Sequence, residues 1–230
     1  MILSETKNGF MEYKNLIGGA INDKITIYNC DCMELLKQTP DNYYSLALVD
    51  PPYGIGNKLT QGGTWASKYA KGDADWDIAP KQEYWNELFR VSKNQIVWGG
   101  NYFALPMNRC FLIWDKVAHM DTLADCEYAW TSFDRNAKIF RHVRNTSEKR
   151  IHITQKPVKL YEWIIQNYAE NDFKIIDTHL GSGSIAIAIE KANRLDKMNL
   201  QFVGIEIDKE YYEAALNRIE QYCRQGTLSF

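Results

Sequence analysis

Short runs of Val, Ile, Leu and aromatic residues alternate along this chain with amphipathic stretches, and few folds accommodate that pattern. Lys24–Tyr28, Ser45–Val49, Gln95–Trp98, Phe111–Trp114, Phe173–Ile176 and Phe202–Ile205 have the length and composition of buried strands. Between them, Cys32–Lys37, Lys81–Val91, Val158–Tyr168, Ser184–Asn193 and Lys209–Tyr222 space their apolar residues as helices do. Pro80 and Pro157 stand at helix starts, where a backbone N–H is not needed. The alternation predicts an α/β fold, a doubly wound and mostly parallel sheet with helices on both faces. Cys126–Trp130 and Ile139–Val143 read as late antiparallel strands. At 230 residues the chain suits a single domain, residues 1–230. Residues 1–22 read as an N-terminal extension to which the pattern assigns no role.

Several classes are excluded. No apolar run approaches the roughly 18 residues of a membrane span. Charged residues break up the apolar ones near the N-terminus, which does not read as a signal peptide. A cytoplasmic protein with no membrane partner is expected. Cys30, Cys32, Cys110, Cys126 and Cys223 are odd in number and include no CxxC pair, so they read as reduced core residues. His119, His142 and His152 lack ligand spacing, and no metal is expected.

The formal charge of −2 is unevenly spread. Between Arg135 and Lys159 eight basic residues stand against Glu148 alone, a net +7 that leaves −9 elsewhere. Such a run suggests a local polyanion contact; an exposed strand and turn with solvated charges would read the same way. Residues 54–80 hold five of the 14 glycines without periodicity, as a mobile loop over a site or a tolerated surface insertion would.

Two constellations carry chemistry. Asp177-Thr178-His179-Leu180-Gly181-Ser182-Gly183-Ser184 follows a strand and opens a helix. Its glycines allow a tight turn, the helix N-terminus offers free N–H groups, and Glu206, at the end of another strand, can accept ribose hydroxyls. Alone, this pattern fits any adenosine ligand, a nicotinamide dinucleotide included. Asp50-Pro51-Pro52-Tyr53 directly follows the strand Ser45–Val49. The two prolines fix φ at both positions and remove two donors, so the turn can aim the Asp50 carboxylate and the Pro51 carbonyl at one amino group. Tyr53 offers a flat face for a heterocycle beside them.

Asp50-Pro51-Pro52-Tyr53 resembles the catalytic motif of the DNA amino-methyltransferases, which use S-adenosylmethionine to methylate exocyclic amino groups. Asp177–Ser184 is similar to their cofactor motif, with Thr178 and His179 where Pro and Phe are usual. His152-Ile-Thr154-Gln155-Lys156-Pro157 resembles a segment that meets the methionine carboxylate, Gly204-Ile-Glu206-Ile-Asp208 the ribose-binding strand end, and Trp98–Phe103 and Ile113–Lys116 the family's middle segments. The resemblance runs from about Lys24 to Tyr222. It places the catalytic motif first and the cofactor glycines last, as in the beta group, and so implies a circularly permuted seven-stranded methyltransferase sheet.

On this resemblance Asp50, Pro51, Pro52 and Tyr53 are catalytic, and Asp31, Lys156, Asp177, His179, Gly181, Gly183, Ser184 and Glu206 hold the cofactor. His179 would pack near it as a flat ring with a titratable edge. Asp31 would meet the cofactor's adenine amino group; the N-cap of Cys32–Lys37 is the competing reading, and both can hold. Arg135, Arg141, Arg144, Lys149 and Arg150 would hold phosphates of double-stranded DNA, with residues 116–150 as the target-recognition region. Trp76 would contact DNA or plug the loop against the body. The motif points to the N6 amino group of a flipped-out adenine. N4-cytosine methylation is the alternative, and from other classes a nicotinamide-dependent oxidoreductase or a catalytically silent DNA-binding relative. A homodimer and a paired restriction nuclease are left open.

Overall fold

The structure, a computed structural model, describes residues 11, 13–56, 77–117, 124–143, 151–152 and 154–227. Among these residues nine strands form one sheet: β1 Ile17–Asn22, β2 Ile25–Asn29, β3 Tyr44–Val49, β4 Ser92–Trp98, β5 Phe111–Asp115, β6 Cys126–Thr131, β7 Lys138–Arg141, β8 Lys174–Asp177 and β9 Gln201–Glu206. Their order is β1-β2-β9-β8-β3-β4-β6-β5-β7. Among the described residues the helices are α1 Cys32–Leu36, α2 Gln82–Val91, α3 Val158–Tyr168, α4 Ser184–Leu195 and α5 Lys209–Thr227, with a 3-10 turn at Gly100–Tyr102.

Side-chain alternation along the central strands builds two cores. Leu46 and Leu48 of β3, Ile175 of β8 and Phe202 of β9 pack with Ile164 and Ile165 of α3, Ile185 and Ile189 of α4, and Ala215 and Ile219 of α5. Ala47, Val49, Ile176, Val203 and Ile205, the intervening residues, pack with Leu35 and Leu36 of α1 and Tyr84, Trp85 and Leu88 of α2. Both faces of the centre are therefore covered, which is why its strands read as continuous apolar runs.

The sheet differs from the expected one in two ways. Strand β1 was not legible, because Ile-Gly-Gly-Ala-Ile-Asn lacks alternation and lies largely exposed at the edge. Of the two late strands, β6 is antiparallel to β4 and β5 as expected, but β7 pairs parallel with β5. The cysteines do not all join the core: Cys110 is buried and Cys126 exposed. No helix among the described residues is long and apolar enough to cross a membrane. The parts of the expected segments at 1–10, 57–76 (with Trp76), 118–123 (with His119) and 144–150 lie outside the described residues.

Candidate functional site

Strands β2, β9, β8, β3 and β4 run parallel, so their carboxyl ends share one edge of the sheet. Asp31, Glu206, Asp177, Asp50 and Gly99 follow or close those strands, and the two constellations read from the sequence meet there. This is the edge where open α/β sheets bind ligands.

Asp50 leaves β3 into the two prolines, with Pro51 buried. The Tyr53 hydroxyl donates to Asp50 Oδ1 at 2.8 Å, and the Lys156 ammonium donates to Asp50 Oδ2. Lys156 Nζ also lies 3.2 Å from Glu127 Oε2 and 5.3 Å from the centre of the Trp98 ring. Glu127 Oε1 in turn meets Lys116 Nζ at 3.0 Å. Burial alone would lower the Lys156 pKa, but the Asp50 and Glu127 carboxylates outweigh it and hold it above the ordinary lysine range. Burial would raise Glu127, yet its two lysines bring it down to about 2. Burial and then the Asp50 charge keep the Tyr53 hydroxyl protonated as a donor, its pKa far above the usual one.

The resemblance sends Lys156 to the cofactor; the structure commits its ammonium to Asp50 and Glu127. A buried cation needs anionic partners, and both carboxylates are within reach. Nor does Tyr53 stand alone as an open plate. Its ring stacks on half-exposed Tyr102 (centroids 4.9 Å apart, 16° between planes) and meets the edge of Phe103. Asp77, buried just before α2, accepts the N–H groups of Gly54, Ile55 and Gly56 at 3.0, 2.7 and 2.7 Å. One carboxylate therefore ties together the two ends of the segment that begins after Tyr53.

The second arm is the turn between β8 and α4. Asp177 is buried and accepts the His179 N–H at 3.0 Å; burial pushes its carboxyl up to about 8. Glu206 is 8% exposed and receives the N–H of Gly181 at 2.8 Å and of Asp208 at 3.0 Å, while burial raises its pKa. Gly183 caps α4 with φ +71°, and a Cβ there would lie 2.8 Å from Ile219 Cδ1, so the turn requires glycine. Arg218 of α5 donates to the Ser182 carbonyl at 2.8 Å and to Ser184 Oγ at 2.9 Å. Asp31 caps α1 by accepting the Met33 N–H at 2.9 Å, and its side chain stays exposed.

The unusual Thr178-His179 pair is explained by α2. Thr178 Oγ1 lies 2.7 Å from the Tyr84 hydroxyl and 2.9 Å from His179 Nδ1, and the His179 ring meets Tyr84 edge-on. Burial lowers the His179 pKa to about 4, so the imidazole is neutral near pH 7. An unfolded histidine, near 6.5, binds a proton that the folded one refuses, so His179 costs stability as pH falls from about 6.5 to about 4. His179→Phe is expected to flatten that loss, read as the urea midpoint against pH; an unchanged acid slope refutes it.

The basic run is not one patch. Arg141 pairs with Asp115 at 3.2 Å on the carboxyl edge, where β5 and β7 end. Arg135 and Lys138 bond to Asn167 near the far end of α3, about 14 Å along that helix from its first residue, Val158. Arg135 also lies over the Phe133 and Tyr168 rings, Lys156 is buried, and Lys159 pairs with Glu162. Charge density along a sequence became two opposite ends of a strand. Arg144, Lys149 and Arg150 lie outside the described residues. Among the described residues no cluster of His, Cys, Asp and Glu could hold a metal ion.

Sequence reasoning missed Glu127, Lys116, Arg218, Tyr102 and Asp77. Lys116 and Tyr102 lay in the family-like middle segments without a role; the other three carry no local signal.

A family model described as DNA methylase, of the N6/N4 type, matches residues 80–217. The type II methyltransferase M.ScaI of Streptomyces caespitosus is 25% identical over 255 residues, spanning 85% of this chain and 81% of that one. Among solved structures, the PvuII DNA methyltransferase (cytosine-N4-specific) superposes with a TM-score of 0.57 at 13% identity, covering 88% of this chain and 92% of that one. The M1.HpyAVI–SAM complex gives 0.54 at 17%, covering 85% and 98%. These two likenesses concern the fold.

Proposed function

The chain belongs to the N6/N4 DNA methylase family, and on that premise we propose that it transfers a methyl group from S-adenosylmethionine to the N6 amino group of an adenine flipped out of double-stranded DNA. The observation that carries the reading is the Asp50-Pro51-Pro52-Tyr53 turn on the same sheet edge as the Glu206-supported glycine turn. S-adenosylmethionine, when bound, supplies a methyl group on a positively charged sulfur.

The residues present suit such a ligand. Glu206 is a buried carboxylate with both oxygens oriented by backbone N–H groups, at the strand end where ribose hydroxyls are held. The turn at Gly181–Ser184 lies beside it, and His179 presents an uncharged ring near pH 7. We read the order of these segments, Asp50 first and the glycines last, as circular permutation of the methyltransferase sheet.

The chain's own task is to hold and polarise the target nitrogen. An adenine amino nitrogen is a poor nucleophile because its lone pair is delocalised into the ring. Accepting its two hydrogens at Asp50 and at the Pro51 carbonyl favours a pyramidal nitrogen with an available lone pair. Duplex DNA hides that group, so the base must leave the stack, and it then meets the Tyr53–Tyr102 pair. Of the basic run, Arg141 is a described residue on this edge, where it can meet phosphates.

Sequencing of methylated bases in DNA from cells expressing the chain tests the reading. N6-methyladenine at a defined site is expected; N4-methylcytosine overturns the choice of base, and no modified base overturns the activity. Glu206→Ala is expected to raise the dissociation constant for S-adenosylmethionine about 10- to 100-fold, since charge-assisted hydrogen bonds are lost. Binding of a nicotinamide dinucleotide without S-adenosylmethionine binding would instead favour an oxidoreductase.

A further inference from the structure

Four side chains of alternating charge form a line across the sheet edge, and the neutral Tyr53 ends it. Lys116 follows β5, Glu127 is the second residue of β6, Lys156 precedes α3, and Asp50 and Tyr53 follow β3. Strand β6 runs against its neighbours, so its first residues, not its last, reach the ligand-binding edge; Glu127 lies opposite Trp114 in register. Its carboxylate divides between two ammonium groups, Oε1 to Lys116 at 3.0 Å and Oε2 to Lys156 at 3.2 Å. The Lys156 side chain is 2% exposed, and its ammonium continues the line to Asp50 Oδ2. Tyr53 closes it on Oδ1. Trp98 and Trp114 lie under the two ammonium groups at 5.3 and 5.4 Å.

Each Asp50 oxygen thus has one fixed donor and keeps acceptor capacity for a second. A carboxylate held at both oxygens cannot rotate, and that rotation decides whether the free acceptor site meets the target nitrogen. Lysine has four flexible carbons, and a single contact would not fix its ammonium. Two anions on different strands do. We propose that Lys156 and Glu127 are positioning residues for methyl transfer: Glu127 fixes Lys156, and Lys156 with Tyr53 fixes the Asp50 carboxylate toward the target amino group. The inference rests on the amino-methyltransferase reading above. It departs from the cofactor role that the resemblance gave Lys156, and the two assignments make opposite predictions.

The test uses the full chain with saturating S-adenosylmethionine and a DNA duplex containing the methylated site. Lys156→Met is expected to lower kcat about 30-fold, with the KM for DNA and the calorimetric Kd for S-adenosylmethionine within about threefold of wild type. Lys156→Arg, which can still donate to both carboxylates, should recover at least about fivefold of that loss. Glu127→Gln should lower kcat about tenfold alone and less than about twofold in the Lys156→Met background, because it acts through the lysine. A Kd raised tenfold or more with kcat unchanged overturns the proposal and returns Lys156 to the cofactor. Additive effects of the two substitutions overturn the role of Glu127. Should Lys156→Met lack a cooperative melt, Glu127→Gln alone decides, and a kcat within about twofold of wild type overturns the proposal. Absence of methyl transfer by the wild type is a separate outcome, which strikes the proposed activity itself.

Discussion

Asp50→Ala is expected to lower methyl transfer at least about 1000-fold, roughly 4 kcal/mol of transition-state stabilisation, while S-adenosylmethionine affinity changes by less than about 1 kcal/mol. The carboxylate is the charged acceptor of the Asp-Pro-Pro-Tyr turn, whereas Glu206 and the glycine turn belong to β9 and the β8–α4 connection. Stability complicates the reading. Lys156 is buried against Asp50 and Glu127, and removing one partner of such an arrangement typically costs about 3–5 kcal/mol. The double variant Asp50→Ala/Lys156→Met removes the cation as well as the anion, so it should melt above the single variant and remain equally inactive. Single-turnover transfer of a labelled methyl group, calorimetric cofactor binding and thermal melts separate these effects. Retention of more than about a tenth of the wild-type rate in the folded double variant would falsify the assignment of Asp50.

The glycine turn was legible in the sequence because its geometry is local. Asp177, Gly181, Gly183 and Ser184 lie within eight residues, and Glu206 enters through a strand whose apolar run announces where it ends. The central strands were legible for the same reason, since burial on both faces forces continuous Val, Ile and Leu. What was missed depended on sheet order and on which strand ends meet, which composition does not encode. Lys156 and Asp50 are 106 positions apart and meet only after the sheet assembles. Glu127 reaches the site because β6 is reversed; in a parallel β6 it would lie at the opposite end. The described part of the basic run was divided by the same kind of projection. Between Arg135 and Arg141 the chain traverses a strand, at about 3.3 Å per residue, so neighbours in sequence became occupants of opposite edges. Strand β1 lacked any pattern to read, because its exposed edge position demands neither alternation nor a continuous apolar run.

Gly99→Ala is expected to be the most damaging single-methyl change at this edge. Gly99 follows β4 with φ +66°, a left-handed conformation that costs an L-residue about 1 kcal/mol or more. An added Cβ would overlap the Tyr53 ring, and Tyr102 stacked on Tyr53 at 4.9 Å limits how that ring can yield. Overpacking of this kind adds about 1–3 kcal/mol, so a total near 2–4 kcal/mol of lost stability should appear in urea unfolding. Function should suffer more than stability. Any shift of the ring moves the hydroxyl that holds Asp50 Oδ1, and a displacement near 1 Å in a positioned group is enough to cost about 100-fold in rate. Cofactor affinity should stay within about threefold, since Gly99 lies on the target side of β3 and the glycine turn on the other. Gly19→Ala on β1, where a Cβ meets nothing within 4 Å, is the control and should leave both rate and stability near wild type. If Gly99→Ala keeps full transfer activity, Tyr53 does not need its observed position, and the contact between Tyr53 and Asp50 is not what aims the carboxylate.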